Sequence, residues 1–124
     1  MGARILIIDD QPLNAELAEY ILTRAGHEVQ VAQSAAQGFE SIAAIRPDLI
    51  LMDIQMPDLD GLEMTRRLKA DETTRNILVV AFTAYAMKGD EERMRAAGCD
   101  GYLAKPIDVK TFADRVAGWL IKRP

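Results

Sequence analysis

The stretch DLILMDIQMPDLDG, residues 48–61, decides the fold. Leu49 to Met52 form an apolar run that stops at Asp53, and a turn rich in Pro, Asp and Gly follows. A short apolar run bounded by turn signals reads as a strand covered on both faces. Three more runs have this form: RILIID ends at Asp9 with Asp10 next, ILVVAFT ends at Thr83, and GYLA runs into Lys105-Pro106. Glu28-Val29-Gln30-Val31 alternates, as a half-exposed edge strand does, and the short Tyr102-Leu103-Ala104 also suits an edge. In a parallel sheet the C-terminal ends of the strands share one edge, where α/β folds place their sites. Three carboxylates, one hydroxyl and one ammonium are therefore expected to meet in one crevice.

Helix-like segments separate the strands. Leu13, Leu17, Ile21 and Leu22 keep helical spacing ahead of Gly26, a C-terminal stop. Ser34-x-x-Gln37 forms a capping box before a stripe of Phe39, Ile42 and Ala43. A third helix is predicted from about Leu62 to Lys69. A fourth carries Met87, Met94 and Ala97 and stops at Gly98. Asp108 is the expected N-cap of the last, whose Val109, Phe112, Val116 and Trp119 or Leu120 share a face. The prediction is one domain over residues 1–124: an α/β, (βα)₅ doubly wound parallel sheet, flavodoxin-like, with strand order 2-1-3-4-5. Its switch point lies between strands one and three, beside Asp9, Asp10 and Asp53.

Composition sets outer bounds. With 124 residues, 49% hydrophobic and 27% charged, the chain suits one globular domain with a substantial core. A formal net charge of −4 offers no basic field for nucleic acid. The longest apolar runs are about six residues, against about 20 for a membrane helix. No charged-then-apolar opening marks a secretory signal, and Leu6 stands where N-myristoylation wants Ser or Thr. The single cysteine, Cys99, fits a reducing compartment. The expected location is the cytoplasm.

Clustering Asp9, Asp10 and Asp53 is costly. Two like charges about 5 Å apart repel by roughly 3 kcal/mol at an effective dielectric near 20, so three pairs oppose folding by up to about 10 kcal/mol. Lys105 offsets one charge. A hard divalent cation held by oxygen ligands, in the manner of Mg²⁺, offsets the rest. His27 and Cys99 are the only residues of their types, so no zinc cluster competes. A carboxylate flanked by a cation, an ammonium and a hydroxyl is suited to phosphoryl transfer onto itself.

With these residues in view, the chain resembles the receiver domain of two-component response regulators. The paired acids of IIDDQPLN, the acid of LILMDIQMPDLDG, the hydroxyl of AFTA and the lysine of YLAKPI carry the resemblance, which covers the whole chain. It implies that Asp53 is phosphorylated, with Thr83 and Lys105 as its catalytic companions. Mg²⁺ would be held by Asp9, Asp10, Asp53 and the backbone carbonyl of Gln55. Lys105-Pro106 would be cis, and Thr83 and Tyr102 would form a switch that alters the surface of helix 4, strand 5 and helix 5. The implied partners are a histidine kinase or histidine phosphotransfer protein and a downstream protein target. The chain would be a monomer, with dimerisation on phosphorylation as an option. AYAMKGDEERMRAAGCDGYLAKPI is similar both to single-domain cell-cycle receivers and to receivers of hybrid-kinase phosphorelays.

Three other classes of protein fit the residues less well. A Mg-dependent aspartyl-phosphate hydrolase of haloacid-dehalogenase type would carry Asp-x-Asp on its first strand, whereas Asp9 and Asp10 are adjacent. A nucleotide-binding flavodoxin relative needs a glycine- or hydroxyl-rich loop there, and Asp9-Asp10-Gln11-Pro12 presents charge instead. A purely structural module leaves the carboxylate cluster unexplained. His27 reads as a surface residue, Trp119 as core, and Cys99 as without a redox role. Gly89 is read as loosening the start of the fourth helix. Gln55 and Tyr85, two residues after Asp53 and Thr83, are expected to shield a phosphoryl group from water and lengthen its lifetime.

Overall fold

The structure, a computed structural model, describes residues 2–84 and 90–122. Tyr85, Met87 and Gly89, which entered the readings above, lie outside the described residues. The elements alternate as β1 (Arg4–Ile8), α1 (Pro12–Arg24), β2 (Glu28–Ala32), α2 (Ala35–Ala44), β3 (Leu49–Asp53), α3 (Gly61–Ala70), β4 (Leu78–Thr83), α4 (Asp90–Ala97), β5 (Gly101–Ala104) and α5 (Phe112–Lys122). All strand pairs are parallel, and the sheet order is β2-β1-β3-β4-β5, as predicted. No helix among the described residues is long and apolar enough to cross a membrane.

Alternation within the strands divides the core into two layers. Ile5, Ile7, Leu49, Leu51, Val80 and Phe82 face α1 and α5, packing on Ala15, Ala18, Leu22, Phe112 and Val116. Leu6, Ile8, Ile50, Met52 and Val79 face the other way, onto Ile42, Met64 and Leu68. That double coverage explains why the central strands are continuous apolar runs, while β2 alternates at the edge.

Several helical stripes differ from the sequence reading. On α1 the inward residues are Ala15, Ala18 and Leu22, while Leu13 is 82% exposed and Leu17 39%. Both sets keep helical spacing, and the small alanines let the helix approach the sheet closely. On α2, Ala35, Gly38 and Ile42 are buried and Ala43 is exposed. Its cap is also modified: Ser34 Oγ accepts from Gln37 N at 3.2 Å, but Gln37 Oε1 reaches back to Gln33 N instead of to the cap residue's own N–H. Asp108 caps a turn, accepting from Lys110 N at 3.0 Å, and α5 begins only at Phe112. Val109 is consequently exposed rather than on the helix's inner face. His27 is half-buried, its Nδ1 accepting from Ala3 N at 3.0 Å, and burial lowers its pKa.

Trp119 packs against the α1–α5 layer, and its ring takes the space beside Gly101, where an added Cβ would lie 2.5 Å from it. Nothing lies within 4 Å of a Cβ added at Gly118. Gly101→Ala is therefore expected to destabilise by about 1–3 kcal/mol through overpacking, and Gly118→Ala to stabilise by about 0.5–1 kcal/mol through helix propensity. Urea unfolding followed by Trp119 fluorescence checks both signs.

Candidate functional site

Each functional side chain comes from the C-terminal end of a different strand. Asp9 follows β1, Asp53 ends β3, Thr83 ends β4, and Lys105 follows β5. Register aligns them: Ile8 pairs with Met52, Asp53 with Phe82, and Thr83 with Ala104. Asp9, Asp53 and Thr83 are buried, and Asp10 is exposed at the rim.

Local turns fix the carboxylates. Asp9 Oδ1 accepts from Gln11 N at 2.8 Å and Asp53 Oδ1 from Gln55 N at 3.1 Å, so each acid folds the chain after it into an Asx turn. Lys105 N donates to Thr83 O at 2.8 Å, and the Lys105-Pro106 peptide is cis, as the resemblance implied. The lysine side chain is 7% exposed; Nζ lies 2.9 Å from Asp9 Oδ2 and 3.8 Å from Asp53 Oδ2. It also sits 5.0 Å from the centroid of the Phe82 ring.

The start of α3 closes the site from below. Gly61 N donates to Ile54 O at 2.9 Å, and a Cβ on Gly61 would come within 2.3 Å of Asp53 O. Only glycine permits that approach. Asp60 caps the helix by accepting from Leu62 N at 2.8 Å. The closing glycine, the Phe82 ring and the Lys105 contact with Gln11 described below escaped the sequence reading. DLDG carried a signal for the first, in a glycine directly after a capping acid.

Ligand oxygens of Asp9, Asp10 and Asp53 lie within 4.8 Å of one another. Asp9 Oδ2 is buried and has no aligned hydrogen-bond donor. Its 2.9 Å contact with Lys105 is an ion pair without hydrogen-bond direction. An under-satisfied buried oxygen in an all-oxygen acid cluster fits a hard divalent cation. The titration of Asp53 agrees. Burial pushes its carboxyl up from 3.8 to about 7; Lys105 opposes the shift, Asp9 adds to it, the Gln55 N–H opposes it, and a hydrogen bond with Asp10 adds to it.

The remaining residues fall into place around this centre. Gln55 is exposed beside the acid. Tyr102 lies on β5, and its hydroxyl donates to Glu91 Oε2 on α4 at 3.3 Å. Cys99 touches Thr65 Oγ1 at 4.0 Å, and burial raises its thiol pKa, so no thiolate is favoured there.

A five-stranded parallel α/β domain with an acid pocket and a buried lysine at its switch point is the layout of a signalling receiver. The response regulator receiver domain model matches residues 5–117, and the chain belongs to that family of two-component signalling. It is 42% identical to the polar-differentiation response regulator DivK of Brucella ovis over 120 residues, 97% of this chain and 98% of the relative. Among solved structures, it resembles the receiver domain of the sensor histidine kinase PA1611 of Pseudomonas aeruginosa PAO1, at 34% identity and TM-score 0.88, over 98% of this chain and all of that one. A magnesium ion is coordinated in the active-site cleft of that receiver. A CheY-like receiver domain protein of Methanospirillum hungatei JF-1 is similar at 27% identity and TM-score 0.90, over 99% of this chain and 97% of that one.

The raised Asp53 pKa has a consequence for stability. Between about pH 4 and 7 the folded protein keeps a proton on Asp53 that the unfolded chain releases, so in the absence of metal this group makes stability fall as pH rises. Asp53→Asn removes the effect. Urea unfolding in EDTA should show the variant gaining on wild type by roughly 2–4 kcal/mol from pH 4 to 7.5. A constant difference across that range would remove burial of Asp53 as the cause.

Proposed function

We propose that this receiver accepts a phosphoryl group on Asp53 from a phosphohistidine of a histidine kinase or histidine phosphotransfer protein, and so changes its affinity for a downstream protein in the cytoplasm. The observation that carries the reading is a buried Asp53, with a pKa near 7, set between the Lys105 ammonium and two further carboxylates. An acid so placed is a poor structural element and a good acceptor, because any added positive charge favours its ionised, nucleophilic form.

Asp9, Asp10, Asp53 and the Gln55 carbonyl would hold Mg²⁺. When bound, the metal supplies positive charge against the acids and the incoming phosphoryl oxygens. An Asp53 carboxylate oxygen forms the new P–O bond as the donor's P–N bond breaks, and the imidazole leaves with the electron pair and takes a proton from solvent. Lys105 neutralises one phosphoryl oxygen, and the Thr83 hydroxyl donates to another. The Gln55 side chain at the open rim obstructs an attacking water and carries no carboxylate to activate it, which favours a long-lived product.

Thr83 and Tyr102 would carry the change outward. The Tyr102–Glu91 hydrogen bond ties β5 to α4, so a shift of either strand end loosens the α4–β5–α5 surface. Phosphorylation shifts that equilibrium only by its differential interaction with the two states. The adjacency of Asp9 and Asp10 disfavours a haloacid-dehalogenase-type hydrolase.

Intact-mass measurement after incubation with acetyl phosphate and Mg²⁺ tests the acceptor. Wild type should gain a single phosphoryl group, lost with EDTA in the reaction, and Asp53→Ala should gain none. Full modification of Asp53→Ala would place the acceptor elsewhere.

A further inference from the structure

Gln11 stands at the N-cap of α1, where a polar residue ordinarily caps the helix, yet its side chain makes no capping hydrogen bond. Its Oε1 accepts from Lys105 Nζ at 3.2 Å and also from Asn14 Nδ2, one helical turn on. The backbone is held as well: Gln11 N donates to Asp9 Oδ1 at 2.8 Å, and Gln11 O accepts from Ala15 N at 3.1 Å. An exposed side chain is thus aimed inward, with its oxygen fixed by a neighbour.

The three oxygens near the ammonium have different obligations. Asp9 Oδ2 at 2.9 Å and Asp53 Oδ2 at 3.8 Å belong to the carboxylate cluster, and both lose hold on the lysine when that cluster turns to a cation or a phosphoryl group. Gln11 Oε1 at 3.2 Å belongs to no such cluster. Being neutral, it accepts from the ammonium without adding a fourth negative charge to the pocket.

We propose that Gln11, oriented by Asn14, is the positioning residue for Lys105, keeping the ammonium beside Asp53 while the carboxylates are otherwise engaged. It acts through Lys105 and does not itself meet the phosphoryl group. The inference rests on Asp53 being the acceptor, so the test has one arm that does not.

In that arm, low-temperature ¹H–¹⁵N spectra of the unphosphorylated protein at saturating Mg²⁺, where the carboxylates are engaged by the cation, follow the Lys105 ammonium. A slowly exchanging signal is expected in wild type and in Gln11→Glu, which keeps an oxygen acceptor. It should be lost to exchange in Gln11→Met, of equal length without one. An unchanged signal in Gln11→Met overturns the proposal, whether or not the protein is phosphorylated. In the second arm, acetyl phosphate reacts at saturating Mg²⁺. Gln11→Met should slow phosphorylation about tenfold, Asn14→Ala should act in the same direction but less, and Gln11→Met should add nothing in a Lys105→Ala background. An equal loss in that background means that Gln11 acts independently of the lysine, and the proposal falls. Wild type that fails to react defeats the acceptor reading alone.

Discussion

The ion pair between Lys105 and Asp9 sits in a pocket where carboxylates outnumber the ammonium, and the rest of the structure serves to hold it there. The pair is 2.9 Å long and buried, yet it lacks hydrogen-bond alignment, so its geometry is set by the backbones that carry the two residues. Those backbones leave β1 and β5, which do not touch: β3 and β4 lie between them. A slip of one residue in any of the three intervening pairings would turn every side chain of that strand to the other face and break up the pocket. Positioning of the charge thus depends on the register of the whole sheet.

Because helices cover both faces, the apolar runs of β1, β3 and β4 carry no alternation by which burial alone could fix register, and shape and turn chemistry must fix it. The close approaches sharpen this. Gly61 lets α3 press on the carbonyl of Asp53, and Ala15 and Ala18 let α1 lie near the sheet. A side chain at Gly61 would push away the loop that bears Gln55. Packing that looks remote from the acid pocket therefore sets where the neighbours of Asp53 stand.

This division explains what could be read from the sequence. Strand ends at Asp9, Asp53, Thr83 and Lys105 were legible because a buried parallel strand is a continuous apolar run, and its interruption by a polar residue marks the sheet edge. The order of strands followed from which runs alternate. Helix faces were less legible. On α1 Leu22 is buried and Ile21 packs on the core as the spacing suggested, but Leu13 and Leu17 face solvent, and Ala15 and Ala18 take the inner face instead. The start of α5 was misplaced because Asp108 caps a turn as well as it would cap a helix. Gln11 gave no signal, since its role depends on a lysine 94 residues away.

Burial also connects stability to chemistry. A carboxyl whose pKa sits near 7 is close to half-protonated at neutral pH. Withdrawing the acid from water thus lowers its ionised fraction and raises the cost of ionising it in the fold. Both effects are relieved together by positive charge brought to the same oxygens. Lys105 alone does not suffice, because it is shared with Asp9 and stands 3.8 Å from Asp53. The desolvation and repulsion that burden the metal-free site are the terms that a cation held there would relieve. Asp10, exposed at the rim and outside the Lys105 pair, is the acid whose removal relieves repulsion in the metal-free fold, and the same change takes one ligand oxygen from a cation at Asp53.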